Sequence, residues 1–439
     1  VMGKIISTQR RLSIYKAIGI NGPLDYKYMK WLKFVLRIIS AWPGKALGEK
    51  TLKIEGMGHA YYNTILSIVY LILGVSFLKL NSYRFTFLQL GHIYIVLLMN
   101  ALSTSRAFTL CLSQKYRSVA KIFIQEIHLF YYKEKSDYAM EIHVKVHKLS
   151  HIFSIYLTGM LWLTVLLFNL IPMYNNYSAG NFKTLGPLVN STYEHAVYAL
   201  YPFDFERTFN GYLGGLISGW YGSILCGSSV CMFDLFLCLM IFNLWGHFKI
   251  LIHTLDTFPR PATIVANEED QQRNPIIAGS EMYSQAELEV VTVKLKECIQ
   301  YHMVIVDFTD RMSDAFGMAL FVYYMFHQVT GCLLLLECAQ VVTALTRYLS
   351  LTIILFGELI LLSVIFETIG SMSEKLKDAV YNMPWEYMDT RNRRTVLIFL
   401  IRVQEPIHVK AGGLVNVGVT TMASILKTTF SFFAFLRTV

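Results

Sequence analysis

Residues 379–409 read AVYNMPWEYMDTRNRRTVLIFLIRVQEPIHV, and they lie between two strongly apolar stretches near the end of a 439-residue chain. The segment is polar and carries clustered arginines, yet it keeps the apolar run VLIFLI. Leu376, Val380 and Met383 share one side of a helix that Pro384 ends, and a second helix follows. Because the apolar run is unsuited to water, we expect the two helices to dock against other helices or another subunit rather than form a solvated loop.

The composition of the chain indicates that lipid is its main solvent. Hydrophobic residues make up 54% of the chain and charged residues 16%, against about 25% charged in soluble domains. The net charge of +9 fits basic membrane loops as well as nucleic-acid binding, so the positions of the charges decide. The seven cysteines contain no CxxC pair, and we expect no structural disulfide.

Seven stretches are apolar and long enough to cross a bilayer as helices, which takes about 20 residues. They are Tyr61–Leu78, Phe85–Leu112, Ile152–Tyr174, Tyr212–Trp245, Phe316–Ala344, Tyr348–Ile369 and Ala411–Leu436. The fourth is longer than the membrane requires, so its end is expected to continue as helix into the cytoplasm. The predicted fold class is an all-α membrane protein with seven transmembrane helices.

The positions of lysine and arginine predict the orientation. Four segments hold 31 of these residues, and the three segments that alternate with them hold five. The basic segments are 1–60, 113–151, 246–315 and 370–410. The positive-inside rule therefore predicts a cytoplasmic N-terminus and an extracellular C-terminus, opposite to a G-protein-coupled receptor. The N-glycosylation sequons at Asn176 and Asn190 both fall in a predicted extracellular segment.

Several ionisable side chains lie within or beside the predicted spans, where an unpaired charge is costly. They are Arg106, Asp234, Glu337, Glu358 and Glu367. An ion path or a proton relay is one interpretation, and pairing inside the helix bundle is the favoured one.

No motif in the sequence supports catalysis or a cofactor. The chain has no P-loop, GxSxG, HExxH or dinucleotide fingerprint. His143, His147 and His151 have the i, i+4, i+8 spacing that can bind zinc. The lysines among them favour a solvated basic face, so no metal is predicted.

The stretches EKLKDAVYNMPWE and RRTVLIFLIRVQEPIHVKAGGLVNVGVTTMASILKTTFSFFAFLR resemble the C-terminal region of insect odorant receptors. The likeness includes an A-x-Y-x3-W step, an R-x-Q-x-P step and the ending S-I-L-K-x-x-x-S-x-F-x-x-L-R. YPFDFERTFNGY and CIQYHMVIVDFTDRMSDAF also resemble that family, so the likeness runs from Tyr201 to the C-terminus. The long intracellular loop of the family's shared co-receptor is not seen, which favours a ligand-tuning subunit.

The resemblance implies an odorant-gated, non-selective cation channel of four subunits, in which this chain assembles with the co-receptor. It also implies a plasma-membrane location, in sensory dendrites of olfactory neurons. The expected division is a cytoplasmic segment (1–60), spans one to six with the ligand pocket (61–369), cytoplasmic anchor helices (370–410) and a pore-lining span (411–439). The expected partners are a small volatile ligand, the co-receptor and membrane lipid, with no nucleic acid.

The resemblance also assigns roles to residues of the last two segments. Ser431, Phe435 and Thr438 share one helical face and are the predicted pore residues, because bulky apolar rings can close a pore by dewetting. The alternative is that Phe435 packs within its own subunit. Lys427 would repel cations in the pore and is expected to face elsewhere. The predicted subunit contacts are Trp385, Val396, Phe399 and Leu400.

The resemblance implies an odorant pocket in the outer half of the bundle, between spans two, three, four and six. Position along the spans selects the predicted ligand-binding residues, which are Leu88, His92, Ile95, Leu161, Thr164, Phe168, Tyr212, Leu216, Ile217, Trp220, Tyr348 and Thr352. For each of them ordinary helix packing is the alternative. The set is apolar and aromatic with few hydroxyls, as a small volatile ligand requires.

Two other functions remain open from the sequence. A gustatory-type channel is disfavoured because TTFSFFAFLR lacks the T-Y-x5-Q-F ending of those receptors. A secondary transporter of small apolar molecules is disfavoured because the chain shows no internal repeat or paired broken helices.

Overall fold

The computed structural model describes residues 20–49, 57–85, 87–182, 192–262, 282–340 and 342–438. These residues are mainly helical. The α-helices in chain order are α1 (Lys27–Ile38), α2 (Met57–Asn81), α3 (Phe87–Leu112), α4 (Gln114–Ile122), α5 (Asp137–Ser178), α6 (Phe209–Asp256), α7 (Gln285–Gln340), α8 (Val342–Tyr381), α9 (Thr390–Arg402) and α10 (Val419–Thr438). Two short strands, β1 (Lys410–Ala411) and β2 (Val415–Asn416), pair antiparallel between α9 and α10. Single turns of 3-10 helix are Pro23–Asp25, Ser82–Arg84, Leu129–Tyr131 and Trp385–Tyr387, and a π-helical turn, Phe123–Ile127, continues α4.

The seven predicted spans are helices in the structure. Six helices (α2, α3, α5, α6, α7 and α8) are long and apolar enough to cross a membrane, and α10 is a shorter apolar helix. The predicted all-α membrane fold with seven spans is therefore confirmed. Helix α6 has 48 residues, about 72 Å at 1.5 Å per residue. It continues well beyond a hydrocarbon core of about 30 Å, as the sequence predicts.

The start of the last span differs from the prediction. Helix α10 begins at Val419, whereas hydropathy alone places the start at Ala411. Gly412 and Gly413 have φ values of 59° and 74°, a left-handed conformation that glycine adopts readily. They turn the chain between β1 and β2, and Gly412 N donates to Gly317 O at 2.8 Å.

The long helices give the bundle two ends. The first, called the loop end here, carries residues 82–85 and 192–208, where the connections are not helical. The second, called the layer end, carries α1, α4, α9 and the hairpin, packed on the extensions of α5, α6, α7 and α8. Serine, threonine and aspartate caps start these helices: Ser136 accepts from Ala139 N, Thr208 from Gly211 N and Asp389 from Asn392 N.

The opening segment docks at the layer end, with one side of its apolar run buried and the other side exposed in this chain. Leu376, Val380 and Met383 are at most 1% exposed. Helix α9 lies along α7, where Asn392 Nδ2 donates to Thr292 Oγ1 at 3.0 Å.

Two of the predicted subunit contacts, Val396 and Phe399, lie on the buried face of α9. Val396 and Phe399 are 4% and 3% exposed, and the Phe399 ring lies 5.4 Å from that of His302 on α7. They pack inside the chain, so they are not available to another subunit. The exposed apolar residues of this helix are Leu397, Ile398 and Ile401, at 56%, 68% and 63%.

A buried ion cluster joins three spans. The guanidinium of Arg106 on α3 lies 2.6 Å from Asp234 on α6 and 4.0 Å from Glu358 on α8. It also lies over the rings of Phe233 and Tyr323, at 5.0 and 5.2 Å from their centroids. Arg106 is 0% exposed. The preference for pairing within the bundle is confirmed for these three ionisable residues.

The other two carboxylates, Glu367 and Glu337, contact the backbone of a neighbouring helix. Glu367 Oε2 accepts from Val419 N at 2.9 Å, so it caps the first turn of α10. Glu337 on α7 packs over Gly91 of α3, where an added Cβ would fall 1.7 Å from its Oε1. Glycine at that position lets the carboxylate approach the helix backbone closely.

The histidine-rich start of α5 is not a solvated face. His143 is 1% exposed, and its Nε2 lies 2.9 Å from the Tyr26 hydroxyl. The His147 ring lies 4.3 Å from the Tyr26 ring. The predicted basic face is therefore wrong for these histidines, because the segment before α1 folds back and covers them. In the described part of the chain no group of histidine, cysteine and acidic residues could hold a metal ion.

Candidate functional site

A cavity of about 160 Å³ lies within the bundle, toward the loop end. Its lining comes from α2, α3, α5, α6 and α8 and from Val197 of the 192–208 segment. The lining residues are Ser67, Tyr70, Ile95, Val96, Met99, Asn100, Leu161, Thr164, Val165, Phe168, Val197, Gly222, Ser223, Leu225, Cys226, Gly227 and Leu351. An apolar protein cavity of about 150 Å³ binds benzene. The space therefore suits one small, mainly apolar molecule.

Small residues on α6 create this space. Gly222, Ser223, Cys226 and Gly227 lie on one face at the i, i+1, i+4 and i+5 positions, where larger side chains would fill the bundle. A Cβ at Gly227 would come 2.7 Å from Leu161 Cδ1. The helices thus approach closely around the cavity without occupying it.

Polar groups at the cavity are few and mostly committed to the protein. The Tyr70 hydroxyl lies 2.8 Å from Ser218 Oγ, and Ser223 Oγ donates to Gly219 O at 2.7 Å. Asn100 and Thr164 bring further polar side chains to the lining. Shape and apolar contact are therefore the main basis for ligand selection, with one or two hydrogen bonds available for orientation.

The predictions on spans two and three agree best with the cavity. Ile95, Leu161, Thr164 and Phe168 all line it. His92 lies just outside, with its ring 6.2 Å from the Phe168 ring and its Nε2 3.1 Å from Ala196 O. It supports the wall of the cavity from behind. The side chain of Leu88 is outside the described ones.

The predictions on span four do not line the cavity. Tyr212 is 3% exposed and packs against Tyr193, with 4.6 Å between the ring centroids. Leu216 lines a separate recess of about 10 Å³. Ile217 is 69% exposed and points away from the bundle, and half-buried Trp220 is not among the lining residues.

On span six the cavity is lined by Leu351, the residue next to the predicted Thr352. Thr352 is buried, and its Oγ1 lies 3.6 Å from Cys338 Sγ. Leu351 lines the cavity instead. The side chain of Tyr348 is outside the described ones.

The predicted α6 residues miss the cavity for two reasons, depth and helix face. Tyr212 lies about three turns nearer the loop end than Gly222, the first lining residue of α6, whereas Trp220 lies only about half a turn before Gly222 but on another side of the helix. The signal in the sequence is the stretch GWYGSILCGSS, in which Gly219, Gly222, Ser223, Cys226 and Gly227 recur at helical spacing. Ser67 and Tyr70 of the first span also line the cavity, and the signal there is a polar face on which Asn63, Ser67 and Tyr70 lie at the i, i+4 and i+7 positions.

Residues 192–208 cover the loop end of the cavity. Leu200 N donates to Leu73 O at 3.1 Å, and Phe205 packs with Phe77 and Ile93 in a small second core. His195 Nε2 lies 2.9 Å from Phe205 O. These contacts hold the segment, and with it Val197, against the helices.

The stability of this cover is expected to depend on pH. Burial lowers the pKa of His195 to about 4, from about 6.5 in an unfolded chain. The folded state therefore favours the neutral ring, and above pH 6.5 this preference costs no stability. As the pH falls from about 6.5 to about 4, the free energy of unfolding decreases by about 3 kcal/mol at most, because the unfolded chain binds a proton at this ring and the folded chain does not. Thermal unfolding of the purified protein between pH 7.5 and 4.5 should show this loss, and His195→Gln should reduce it. Equal slopes for both proteins would contradict the assignment.

Helix α10 has one packed face and one open face. Ile425 and Thr429 are buried against α7 and α8, and Gln328 Nε2 donates to Thr429 Oγ1 at 3.2 Å. The other side is exposed in the single chain, and the residues that form one stripe along it, named here the open face, are Thr420, Ser424, Lys427, Ser431 and Phe435.

Two of the predicted pore residues, Ser431 and Phe435, lie on the open face, and Phe435 is 61% exposed. The side chain of Thr438 is outside the described ones. Lys427, which is expected to face away from the pore, also lies on the open face. It is one turn from Ser431 on the same face, and Ser431 Oγ donates to Lys427 O at 2.9 Å.

The fold and the cavity define a multi-pass helical membrane protein with an internal, mainly apolar cavity. A family model described as 7tm Odorant receptor matches residues 64–430. The chain belongs to this odorant receptor family. The family and its fold are those of receptors and not of enzymes.

Individual relatives agree with the family. Residues of this chain are 29% identical to odorant receptor 85c of Drosophila melanogaster over 147 residues, which is 33% of this chain and 38% of that protein. Putative odorant receptor 85d of the same organism is 24% identical over 147 residues, 33% of this chain and 35% of that protein. The chain thus matches just over a third of the length of these relatives.

Solved structures show the same fold. The olfactory receptor OR5 from Machilis hrabei superposes with a TM-score of 0.71 at 15% identity, covering 93% of this chain and 97% of that one. The same receptor in complex with eugenol gives a TM-score of 0.73 at 15% identity, covering 94% and 98%.

Proposed function

We propose that this chain is the ligand-tuning subunit of an odorant-gated, non-selective cation channel. The observation that carries the proposal is the cavity of about 160 Å³ lined by apolar and aromatic side chains, in a member of the odorant receptor family. The complex of the structurally similar OR5 with eugenol, a small volatile molecule, supports the same ligand class.

The expected affinity is modest. Burying about 250 Å² of apolar ligand surface contributes roughly 6 kcal/mol before association costs, at about 25 cal/mol per Å². Those costs remove part of the gain. Dissociation constants on the order of micromolar or weaker follow, which suits a receptor that must release its ligand quickly.

The proposed mechanism is a population shift. A ligand that fits the open conformation better than the closed one increases the open population by its difference in affinity. The cavity touches α8 through Leu351, and α8 also packs on α10, where the rings of Phe356 and Phe430 stack at 6.4 Å. This contiguous path lets a change at the cavity reach the proposed pore helix. Ser431 and Phe435, with Thr438, are the proposed pore residues.

The proposed assembly is a heterotetramer with the family co-receptor, in the plasma membrane of olfactory neurons. The proposed contact surface at the layer end is the exposed apolar side of α9, with Trp385, which is 38% exposed, and half-buried Leu400. An apolar surface of this kind supports burial against another subunit. The layer end is the proposed cytoplasmic side, because the basic segments lie there.

The test is whole-cell current in a heterologous cell during exposure to a volatile panel, with the chain alone and with a co-receptor. A rapid cation current only with both proteins is the expected result. Current from the chain alone would overturn the proposed heteromer but would still support the proposed channel function. If both proteins reach the surface and a broad panel gives no current, the channel proposal fails.

The orientation leads to a prediction about glycosylation. Asn176 is 2% exposed, and its Nδ2 donates to Glu194 O at 2.8 Å while its Oδ1 accepts from Glu194 N at 2.9 Å. The folded side chain is therefore closed to modification, although the sequence predicts a glycan there. Asn190 lies outside the described residues and stays a predicted glycosylation site. Endoglycosidase should increase the gel mobility of the wild type and leave the Asn190→Gln variant unchanged. A remaining shift in that variant would place a glycan on Asn176.

A further inference from the structure

Lys427 occupies an unusual depth in the bundle. It is the ninth residue of the 20-residue helix α10, whose length is about 30 Å, close to the thickness of the hydrocarbon core. The Lys427 Cα therefore lies within about 2 Å of the helix midpoint along the axis. An ionised side chain at this depth is costly in lipid.

The chain itself does not neutralise this lysine. Among the residues that the structure describes, no carboxylate lies within ion-pair distance of Lys427, although ion pairs are formed by other basic residues. The nearby acidic side chains have other roles, since Glu358 pairs with Arg106 and Glu367 caps Val419. Either end of α10 is about 12 Å or more away along the axis, which is beyond the reach of a lysine side chain.

The neighbours of Lys427 indicate water rather than lipid. On the open face Thr420 and Ser424 lie one and two turns before it, and Ser431 lies one turn after it. Phe430 and Phe432, each 53% exposed, lie about 100° of helix to either side of this polar stripe, and Ile425 is on the packed side. The open face is thus polar through most of its length, with a lysine at its centre.

We infer that Lys427 faces the water-filled ion path and acts as its charge determinant, opposing cations and limiting how many copies of this chain a cation pore accepts. This inference rests on the proposed channel function and adds a residue that sets conductance and ion preference. A partner with a neutral or acidic residue at the matching position would supply the remaining subunits.

The size of the effect follows from Coulomb's law. One unit charge about 8 Å from a passing ion in water-like surroundings lowers the local cation concentration by a factor of about 2.4. Four such charges lower it about thirtyfold, because the factors multiply. A pore with one copy therefore still conducts cations, whereas a ring of four copies would favour anions.

The experiment measures unitary conductance and the chloride-to-sodium permeability ratio of odorant-evoked currents, with the chain and its co-receptor expressed together. Lys427→Met should raise the unitary cation conductance about twofold, and Lys427→Glu should raise it further. Lys427→Arg should match the wild type. The increase should grow when the salt concentration is lowered, because screening weakens. Lys121→Met, which removes an exposed charge at the layer end, is the control and should change nothing.

Accessibility gives a second readout. Lys427→Cys should react with a positively charged methanethiosulfonate reagent, and the reaction should return the conductance to the wild-type level.

The outcomes separate the two proposals. If the wild type gives no odorant current with both proteins at the surface, the channel proposal fails. If current is present and Lys427→Met has the wild-type conductance and permeability ratio, the inference is overturned. If Lys427→Met loses assembly while Lys427→Arg keeps it, the lysine pairs with a partner carboxylate, which also overturns the inference.

Discussion

Arg106→Met is expected to destabilise the folded protein by about 3–5 kcal/mol, because it removes one member of a buried ion cluster. Arg106 is 0% exposed, and its guanidinium lies 2.6 Å from Asp234 and 4.0 Å from Glu358. Without it two carboxylates remain in a membrane interior with no positive charge beside them. The measurement is the thermal unfolding temperature of the detergent-purified variant, together with its amount at the cell surface.

The controls separate lost charge balance from lost packing. Arg106→Met combined with Asp234→Asn removes one charge of each sign, so the double variant should recover much of the stability that the single variant loses. Arg311→Met breaks the exposed Arg311–Asp307 pair at 2.7 Å and should have no measurable effect. If the double variant is as unstable as Arg106→Met alone, the ion cluster is not the reason for the loss.

The sequence predicts that Arg106 has an acidic partner, but it does not identify that partner. The cost of an unpaired charge in lipid predicts that Arg106 has an acidic partner, because that cost does not depend on the details of packing. Hydropathy likewise predicts the spans, since each must cover the same membrane thickness. The identity of the partners, Asp234 and Glu358, depends on how α3, α6 and α8 face one another, and that is set by side-chain packing along the whole bundle.

The candidate site is less predictable for the same reason. Ile95 and Phe168 can be predicted because they occupy inward faces at the expected depth, whereas Ile217 is about one turn too near the loop end on α6 and points outward. A rotation of one residue, about 100° of helix, moves a side chain from the cavity to the lipid. The burial of His143 cannot be predicted from its own segment, because the side chain that covers it is Tyr26, more than a hundred residues earlier in the chain. Contacts at such separations leave no local pattern.

Ser223→Phe is expected to raise the odorant concentration for half-maximal current at least about a hundredfold. Ser223 lines the cavity of about 160 Å³, and a space of about 150 Å³ accepts one benzene ring. The new phenyl group would therefore occupy most of the volume that the ligand needs. Losing about half of a gross burial energy of roughly 6 kcal/mol corresponds to about two powers of ten in affinity. Dose–response currents for the best volatile of the panel provide the measurement.

Ile217→Phe is the matched control, because it introduces the same side chain on the same helix at a position that is 69% exposed. It should leave the dose–response curve in place. Currents evoked by a co-receptor agonist should be unaltered in both variants, which shows that the channel still assembles and opens. Phe168→Ala enlarges the same cavity and should extend the response to bulkier volatiles, with weaker responses to small ones. If Ser223→Phe responds like the wild type, the ligand binds elsewhere in the bundle and the cavity between α2, α3, α5, α6 and α8 is not the odorant site.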